Sequence, residues 1–370
     1  MNIIIISSAT YPHQSPRAMR THELSKELAK KHKVTLYVQS GTYNYTDYEK
    51  QTNIKVKPLN PMLFSNFEPG SGMKLSLVSK TFTKLFKHFT DFPDIEFTCK
   101  TYSALKETEL APQVLITIGG PHPIHWGVAL FKIKNKSKLK ETVWIADCGD
   151  PFMGNPFNKH AFYFKYIEQI FCKKADFITV PVESAVEAYY PQFREKIKII
   201  PQGFDITNIA IENKPLPNAI PTFIFAGTFY RNLRDPIAFL KYLVELSEAG
   251  HDFVFVVYTK SVYILEPFKV LLGNKLVIND FIPRSKLLVE LSSADFLINI
   301  ENASTVQTPS KLIDYIIAER PVCSFKTDSD DFKLTFFKFL NGNYEDALIL
   351  PDLDTFDIKN IAKKFIELAS

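Results

Sequence analysis

The run TPSKLIDYIIAERPV, which begins at Thr308, has the residue types and spacing of a helix start that binds anions. Thr308 suits the N-cap and Pro309 the first helical position, so the pattern predicts a helix here. The free N–H groups at such an end, with Ser310 and Lys311 beside them, can bind phosphate or diphosphate. Asp314, one turn further along the same face, can accept hydrogen bonds from ribose hydroxyls. An ordinary capped helix is the alternative.

Two other groups of residues suit a binding site because each lies between a strand pattern and a helix pattern. His122 and His125 lie in GGPHPIHW, where imidazole can hydrogen-bond a ligand or accept a proton near neutral pH. Arg17 and Arg20 lie in SPRAMR and can bind an anionic acceptor or a diphosphate. Helix capping, packing or plain surface exposure is the alternative for each of them.

Short apolar runs alternate with amphipathic stretches along most of the chain, which is typical of βα units with parallel sheets. These runs lie at residues 2–6, 34–38, 114–118, 142–146, 177–180 and 197–200, then at 223–227, 253–258, 275–280, 296–300 and 321–325. The pattern therefore predicts an α/β protein with two Rossmann-like, doubly wound domains that face each other across a cleft.

The boundary between the two predicted domains follows from a looser segment. Residues 208–221 carry three prolines and no clear period, which is typical of a linker. We therefore expect one domain over residues 1–207 and a second over residues 208–353. The remaining residues, 354–370, have a helical pattern, and we expect this helix to cross back to the N-terminal domain.

Composition excludes several classes of protein. With 370 residues, 46% of them hydrophobic and 23% charged, the chain can build large cores. A net charge of +4 is too small to indicate nucleic acid, and no GxGxxG follows the first strand pattern, as a nicotinamide-dependent dehydrogenase would require. Four scattered cysteines suit a reducing compartment and argue against a disulfide framework or a zinc site. The opening MNIIIISSA predicts a buried strand, and no run reaches the ~20 apolar residues of a membrane span.

One region, from about residue 60 to 110, breaks the βα rhythm. Within it, MKLSLVSKTFTKLFKHF places apolar residues at helical spacing, with lysines nearby. A helix at residues 73–90 could therefore lie on an anionic membrane surface. A helix packed on its own domain is the alternative. We accordingly expect a cytoplasmic protein, or one attached to the inner face of the cell membrane.

The order FAGTFYRNLRDP, FIPRSKLLVELSSADFLINI, TPSKLIDYIIAERPV resembles the donor domain of glycosyltransferase family four, which has the GT-B fold. PQGFD, from Pro201 to Asp205, matches the family's usual Pro-Asn-Gly-Val-Asp. TIGGPHPIHWGVAL and WIADCGDPF are similar to segments of one branch of the family, in which the latter commonly contains Asp-x-Arg-Asp-Pro. The resemblance covers most of the chain except roughly residues 40–110.

The resemblance implies transfer of a sugar, with retention, from a nucleotide-diphosphate sugar to an acceptor hydroxyl, without a cofactor or a bound metal. The first domain would bind the acceptor and the second the donor. Because the leaving diphosphate develops negative charge, cations and helix N-termini must replace the metal. A glycan or lipid-linked acceptor in surface polysaccharide biosynthesis is the expected partner. A scaffold subunit without turnover, or a sugar-nucleotide epimerase, is the alternative.

The resemblance assigns the diphosphate site to the loop after the first strand of the second domain. Gly227 permits close backbone approach. Thr228 stands where the family usually has arginine, and Arg234 corresponds to the family's lysine. Arg231 is the candidate for supplying the missing charge, and both arginines can bind phosphate oxygens in a bidentate manner.

The helix start at TPSKLIDY corresponds to the family's Glu-x7-Glu region. Asp314 aligns with the second acid, which contacts ribose. Val306 stands where the first acid is usual, so Glu301 or Asn302 is a candidate replacement. Tyr258 and Ile282, the latter in the Phe-Ile-Pro loop, lie where the family packs the nucleotide base.

In the first half, His122 matches a functionally important histidine of the family, and His125 is its close competitor. Asp147 and Asp150 are candidates for shaping the cleft or contacting acceptor hydroxyls. Gly149 stands where arginine is usual, so one ion pair of the family is expected to be missing.

Overall fold

The computed structural model describes residues 1–13, 15–39, 41, 43–59, 63, 85–155, 159–206, 217–229, 234–301, 311–328 and 330–370, with only the backbone of Lys311. These residues form two compact units. The first comprises Met1–Asp205 together with Phe356–Ser370, and the second comprises Ile206–Thr355.

The first unit contains a parallel sheet of seven strands in the order β3-β2-β1-β4-β5-β6-β7. The strands are β1 (Asn2–Ser7), β2 (Lys33–Val38), β3 (Lys55–Pro58), β4 (Val114–Ile118), β5 (Val143–Asp147), β6 (Phe177–Val180) and β7 (Ile197–Ile199). Its α-helices are Pro16–Ala29, Thr46–Thr52, Glu96–Glu107, Pro123–Lys134, Phe164–Lys174 and Ile358–Glu367, and residues 85–90 are also helical. Because the strand order reverses between β1 and β4, ligands are expected at the carboxyl ends of these strands.

Side chains of β1 enter two separate cores. Ile4 and Ile6 pack in one core cluster, and Ile3 and Ile5 pack in the other. This alternation follows from the two-residue period of a strand, and it requires apolar cover on both faces of the sheet. Phe365, from the last helix, belongs to the same cluster as Ile3.

The second unit contains a parallel sheet of five strands in the order β10-β9-β8-β11-β12. The strands are β8 (Thr222–Ala226), β9 (Val254–Tyr258), β10 (Leu276–Asn279), β11 (Phe296–Ile300) and β12 (Val322–Phe325). Its α-helices are Ile237–Glu248, Val262–Leu272, Arg284–Ser293, Lys311–Ala318 and Asp331–Leu340. The ring of Phe223 stacks between Phe255 and Phe296, with centroid distances of 4.9 and 5.0 Å. This aromatic stack joins the three central strands.

The predicted α/β class with two Rossmann-like sheets is confirmed. The predicted helix after β11 is present as Lys311–Ala318. The strand β3 was not predicted, because no apolar run marks it in the sequence. Its sequence KVKP suits its place at the edge of the sheet, since charged residues and proline protect an exposed edge from pairing with other strands. Within the described ranges, no helix combines the length and apolarity needed to cross a bilayer.

Candidate functional site

A buried carboxylate at the end of β5 holds two arginines of the first helix. Asp147 is 2% exposed, and its carboxylate accepts from Arg17 Nη2 at 2.5 Å and from Arg20 Nη2 at 2.8 Å. Thr179 Oγ1 also donates to it, at 2.7 Å. The neighbouring guanidinium groups of Arg20 and Arg17 hold the pKa of Asp147 well below its usual range, although burial opposes this. Asp147 therefore orients two arginines; its predicted role in shaping the cleft or contacting acceptor hydroxyls stays a prediction.

Arg17 is held at the carboxyl edge of the sheet by further hydrogen bonds from its guanidinium N–H groups. Its Nε donates to the carbonyl of Gly119 at 2.7 Å, and its Nη2 donates to the carbonyl of Asp147 at 2.9 Å. A Cβ added at Gly149 would lie 3.1 Å from Arg17 Nη1. The guanidinium thus occupies the space beside the position where an arginine was expected from the family pattern.

A pocket of about 170 Å³ lies at this edge of the first unit. It is lined by Arg17, Lys87, Asp91, Asp94, Gly119, Gly120, Pro121, His122, Gly149, Asp150, Pro151, Phe152, Asn155 and His160. Three residues singled out from the sequence, Arg17, His122 and Asp150, therefore meet in one pocket. Arg20 does not line it, since Arg20 is 2% exposed and bound to Asp147 and the carbonyls of Ile200 and Pro201.

His122 is held in one tautomer. Its Nε2 lies 2.9 Å from the carbonyl oxygen of Asp150, and a carbonyl can only accept, so Nε2 carries the proton and Nδ1 is an acceptor. Nδ1 is buried and has no hydrogen-bond partner in the described structure. Burial, with smaller contributions from Arg17 and His160, lowers the pKa of His122 to about 4, although the bond to Asp150 opposes this. A neutral ring at pH 7 follows from this lowered pKa, and it favours hydrogen bonding by His122 over the other predicted role, uptake of a proton near neutral pH.

His125 is fully buried, one turn further into the helix. Its Nδ1 lies 2.8 Å from Thr117 Oγ1, and its Nε2 lies 3.5 Å from Cys148 Sγ. One ring nitrogen each of His122 and His125, together with Cys148 Sγ, lie within 4.8 Å of one another. These are ligand types that zinc accepts, so the described residues do contain a His/Cys group that the sequence spacing did not reveal. Burial also raises the pKa of Cys148 to about 12, which disfavours the thiolate.

Sequence reasoning did not place Lys87, Asp91, Asp94 or His160 in a site, yet all four line the pocket. Burial raises the pKa of Asp91 to about 7, and the neighbouring Asp94 adds to this effect. Lys87 Nζ lies 3.5 Å from Asp94 Oδ2. The ring of His160 stacks on Phe152 at 3.8 Å, and burial lowers its pKa to about 4. Asp91 has φ 52°, a left-handed conformation that Asp tolerates better than most residues.

Of the residues predicted to bind diphosphate, Gly227, Thr228 and Arg234 lie at the carboxyl end of β8 in the second unit. Gly227 has φ 143°, and a Cβ there would lie 3.8 Å from Arg234 Nη1. Arg234 is only 9% exposed, and its charge acts on Tyr315 in the helix Lys311–Ala318. Thr228 follows Gly227 and is half-buried. Arg234 therefore lies near both Gly227 and this helix, and its binding of diphosphate stays a prediction.

Asp314 has a partner that the sequence pattern did not indicate. Arg284 Nε donates to Asp314 Oδ1 at 2.7 Å, which brings a second guanidinium to this region. Burial raises the pKa of Asp314, and Arg284 opposes that shift. Glu301, a candidate replacement for the missing acid, accepts from Ser324 Oγ at 2.9 Å.

The residues expected beside the nucleotide base differ in their exposure. Tyr258 is buried, at 7%, in a core cluster against which Ile282 packs. Phe281 is 46% exposed, and Lys260 Nζ lies 5.4 Å from its ring centroid. Phe281 therefore presents the aromatic surface that Tyr258 was expected to offer.

Several predicted residues lie outside the described part of the chain. They are Arg231, Asn302, Val306, Thr308, Pro309, Ser310 and the segment 73–84 of the proposed membrane helix. For Lys311 the structure gives its place at the start of the helix Lys311–Ala318.

Comparison with known proteins gives matches in structure alone. The sequence matches no protein-family model and no curated protein. A glycosyltransferase from Rickettsia africae aligns with a TM-score of 0.64 and 12% identity, over 100% of this chain and 97% of that one. Alr3699/HepE from Anabaena, in complex with UDP, aligns with a TM-score of 0.61 and 12% identity, over 99% of each chain.

A putative UDP-N-acetylglucosamine 2-epimerase from Listeria monocytogenes also aligns, with a TM-score of 0.56 and 12% identity, over 99% of this chain and 95% of that one. Identities this low compare folds and not activities. The chain has the two-domain α/β fold of the GT-B glycosyltransferases.

Proposed function

We propose that this protein is a retaining glycosyltransferase, which moves a sugar from a nucleotide-diphosphate sugar to a hydroxyl of a glycan or lipid-linked acceptor in surface polysaccharide biosynthesis. The observation that carries the proposal is the position of Arg234, beside Gly227 and near Tyr315 of the helix Lys311–Ala318. A guanidinium beside this helix, at the carboxyl end of a parallel strand, suits a diphosphate. The UDP bound by the Anabaena protein supports the same class of donor.

The donor is held without a metal ion in this proposal. Arg234, the Arg284 side chain beside Asp314, and the free N–H groups of the helix start supply positive potential where the leaving diphosphate gains charge. The bond between the anomeric carbon and the diphosphate oxygen breaks, and its electron pair stays on the diphosphate. An oxygen of that diphosphate accepts the proton of the attacking hydroxyl, whose oxygen forms the new glycosidic bond on the same face of the sugar. Addition of EDTA should therefore leave donor hydrolysis unchanged.

The pocket of the first unit binds the sugar or acceptor in this proposal. His122 is neutral, with Nε2–H donated to the carbonyl of Asp150, so its Nδ1 can accept a hydrogen bond from a sugar hydroxyl. Arg17 lines the same pocket and is 23% exposed, so it can bind an anionic group. His122 is thus a hydrogen-bonding residue and not a general base.

The decisive experiment measures nucleotide binding and donor hydrolysis. Purified protein is titrated with a panel of nucleoside diphosphates and then incubated with the corresponding nucleotide sugars. Arg234→Ala should weaken diphosphate binding ~10- to 100-fold, typical of losing a charged hydrogen bond. Lys241→Ala is the control, since Lys241 is exposed on a helix of the same unit. Failure of the whole panel to bind would overturn the proposal.

A second candidate is a binding or scaffold subunit that has kept the fold but lost turnover. It is favoured by the bond between Arg284 and Asp314, which occupies the carboxylate expected to contact ribose, and by Thr228 in place of an arginine. Tight nucleotide-sugar binding without release of nucleoside diphosphate, even with acceptors present, would support this candidate. Slow release would support the transferase.

We also infer that the protein works in the cytoplasm. Cys99 is an exposed free thiol, and the other three cysteines are free and buried. Such thiols suit a reducing compartment. Cell fractionation with a tagged full-length chain tests this inference, and recovery outside the cytoplasmic and membrane fractions would contradict it.

A further inference from the structure

The helix Phe164–Lys174 is apolar on two opposite sides. Its inner side buries Phe164 and Phe171 in the core of the first unit. Its outer side exposes Tyr166 and Ile170, at 55% and 45%, which lie four residues apart and therefore on one stripe. A surface helix normally carries polar residues on its outer side. This exposed apolar stripe therefore indicates a surface that binds a partner.

The exposed stripe continues onto two neighbouring segments. Phe162 is 73% exposed and Tyr163 is 36% exposed. Tyr163 Oη donates to the carbonyl of Phe89, and the N–H of Ala161 donates to the carbonyl of His88 at 3.1 Å. These bonds place the helical residues 85–90 beside the stripe. We define the aromatic surface as Phe86, Phe89, Phe162, Tyr163, Tyr166 and Ile170, all of them exposed.

The charges on this surface are positive. Lys165 Nζ lies 4.9 Å from the ring centroid of Tyr166, and Lys173 is exposed one turn beyond Ile170. The helix Phe164–Lys174 contains one acid, Glu168, which is 1% exposed and accepts from Tyr190 Oη at 3.0 Å. The outer side of this helix thus combines aromatic rings with lysines and shows no exposed carboxylate.

The aromatic surface borders the pocket of the first unit. Lys87 and His160 line that pocket and lie within two residues of Phe86, Phe89 and Phe162 in the chain. A molecule that reaches the pocket along this border would pass over exposed aromatic rings. An acceptor with an apolar tail suits such a route better than a fully polar one.

We propose that the aromatic surface binds the interface of an anionic lipid membrane. Exposed apolar patches of this kind mark interaction sites. Tyrosine and phenylalanine rings suit the boundary between headgroups and acyl chains, and lysines suit anionic headgroups. A second copy of the chain is the alternative partner for this surface. In a symmetric dimer, however, Lys165 and Lys173 of one copy would face the same lysine-bearing surface of the other, and like charges oppose association. The membrane contact does not depend on the proposed transfer reaction.

Flotation of the full-length protein with vesicles tests this proposal. Vesicles of phosphatidylcholine alone are compared with vesicles containing about one quarter phosphatidylglycerol, at low and high salt. The wild type should float with the anionic vesicles and less so at high salt. The double variant Tyr166→Ser/Ile170→Ser should lower the apparent partition coefficient at least ~10-fold, and Lys165→Glu/Lys173→Glu should abolish the preference for anionic lipid.

The matched control is Tyr263→Ser/Val270→Ser, which removes two exposed apolar residues (63% and 85%) from a helix of the second unit. It should float like the wild type. Donor hydrolysis without lipid should be the same in Tyr166→Ser/Ile170→Ser as in the wild type, so loss of membrane binding and loss of the proposed reaction are distinguishable. The proposal is overturned if the wild type stays in the soluble fraction, or if Tyr166→Ser/Ile170→Ser floats equally well. Concentration-dependent dimers that this variant abolishes, without vesicle binding, would assign the surface to a second copy.

Discussion

Arg20 and Asp147 form a buried ion pair, with Nη2 of the arginine 2.8 Å from Oδ1 of the aspartate and each side chain 2% exposed. Arg20 also donates to the carbonyl of Ile200 at 3.2 Å. The pair thus connects the first helix, the end of β5 and the segment after β7. Because Asp147 also accepts from Arg17, the buried pair helps to position the arginine that lines the pocket.

Arg20→Met should destabilise the first unit strongly. Removing one partner of a buried ion pair typically costs about 3–5 kcal/mol. Because Arg17 remains paired with Asp147, we expect a loss near the lower end of this range. Urea unfolding at pH 7 measures the change in free energy. Lys26→Ala is the control, since Lys26 is 41% exposed and lies 3.8 Å from Asp205, and such a surface pair contributes at most about 1 kcal/mol. Equal losses for the two variants would contradict the buried-pair account.

Asp91 should make the protein less stable as pH rises. Its pKa is about 7 in the folded chain, raised chiefly by burial, against roughly 4 when unfolded. The folded state therefore binds more protons between these values, and stability falls as pH increases through that window. Asp91→Asn should remove this slope and raise the free energy of unfolding at pH 8 relative to wild type.

Urea unfolding at pH 5 and pH 8 checks this expectation. His122 and His160 have lowered pKa values and contribute the opposite slope, but they do so in both proteins. The difference between variant and wild type therefore isolates Asp91. Asp47→Asn, at a side chain that is 86% exposed, should leave the slope unchanged. An unaltered slope in Asp91→Asn would show that Asp91 is ionised in the folded chain at neutral pH.

His122→Ala should lower the rate of donor turnover at least ~10-fold, the cost of one hydrogen bond to a buried acceptor. Because the pKa of His122 is lowered to about 4, the ring stays neutral from pH 6 to 8. The ratio of kcat/KM between wild type and variant should therefore be constant over this range. A ratio that falls with pH below 7 would indicate a charged, proton-transferring histidine instead.

Asp314→Asn should weaken nucleotide binding about 10-fold if its carboxylate accepts from ribose, since a charged hydrogen bond is lost. The loss should disappear when the tightest-binding nucleoside diphosphate is replaced by its 2′- or 3′-deoxy analogue, because the two changes remove the same contact. Isothermal titration measures both affinities. Additive losses would show that Asp314 serves only to hold Arg284, which it binds at 2.7 Å.

The order of elements was predictable because parallel strands buried on both faces are continuous apolar runs. The runs at residues 114–118, 177–180 and 296–300 coincide with β4, β6 and β11. β3 escaped prediction because its edge position tolerates two lysines and a proline. Its pairing with β2 is a tertiary relationship that no local pattern contains.

The positions of some candidate residues were predictable from the family pattern along the chain, although their roles stay predictions. Arg234 near Gly227 and Asp314 on its helix are of this kind. The bonds between Arg20 and Asp147 join residues 127 positions apart, so no spacing could indicate them. Asp91 and Lys87 belong to the region that broke the βα pattern, and only the folded chain brings them to the pocket.

The helix Ile358–Glu367 belongs to the first unit although the whole second unit precedes it in the chain. Ile358 N–H donates to the carbonyl of Phe204 at 2.9 Å, and the ring of Phe365 lies 5.2 Å below the guanidinium carbon of Arg20. During synthesis, this helix leaves the ribosome after the whole second unit. Until then, one face of the first sheet lacks the packing of this helix, and Arg20 lacks its contact with Phe365. The core of the amino-terminal unit is therefore completed by a helix that is synthesised after the whole second unit.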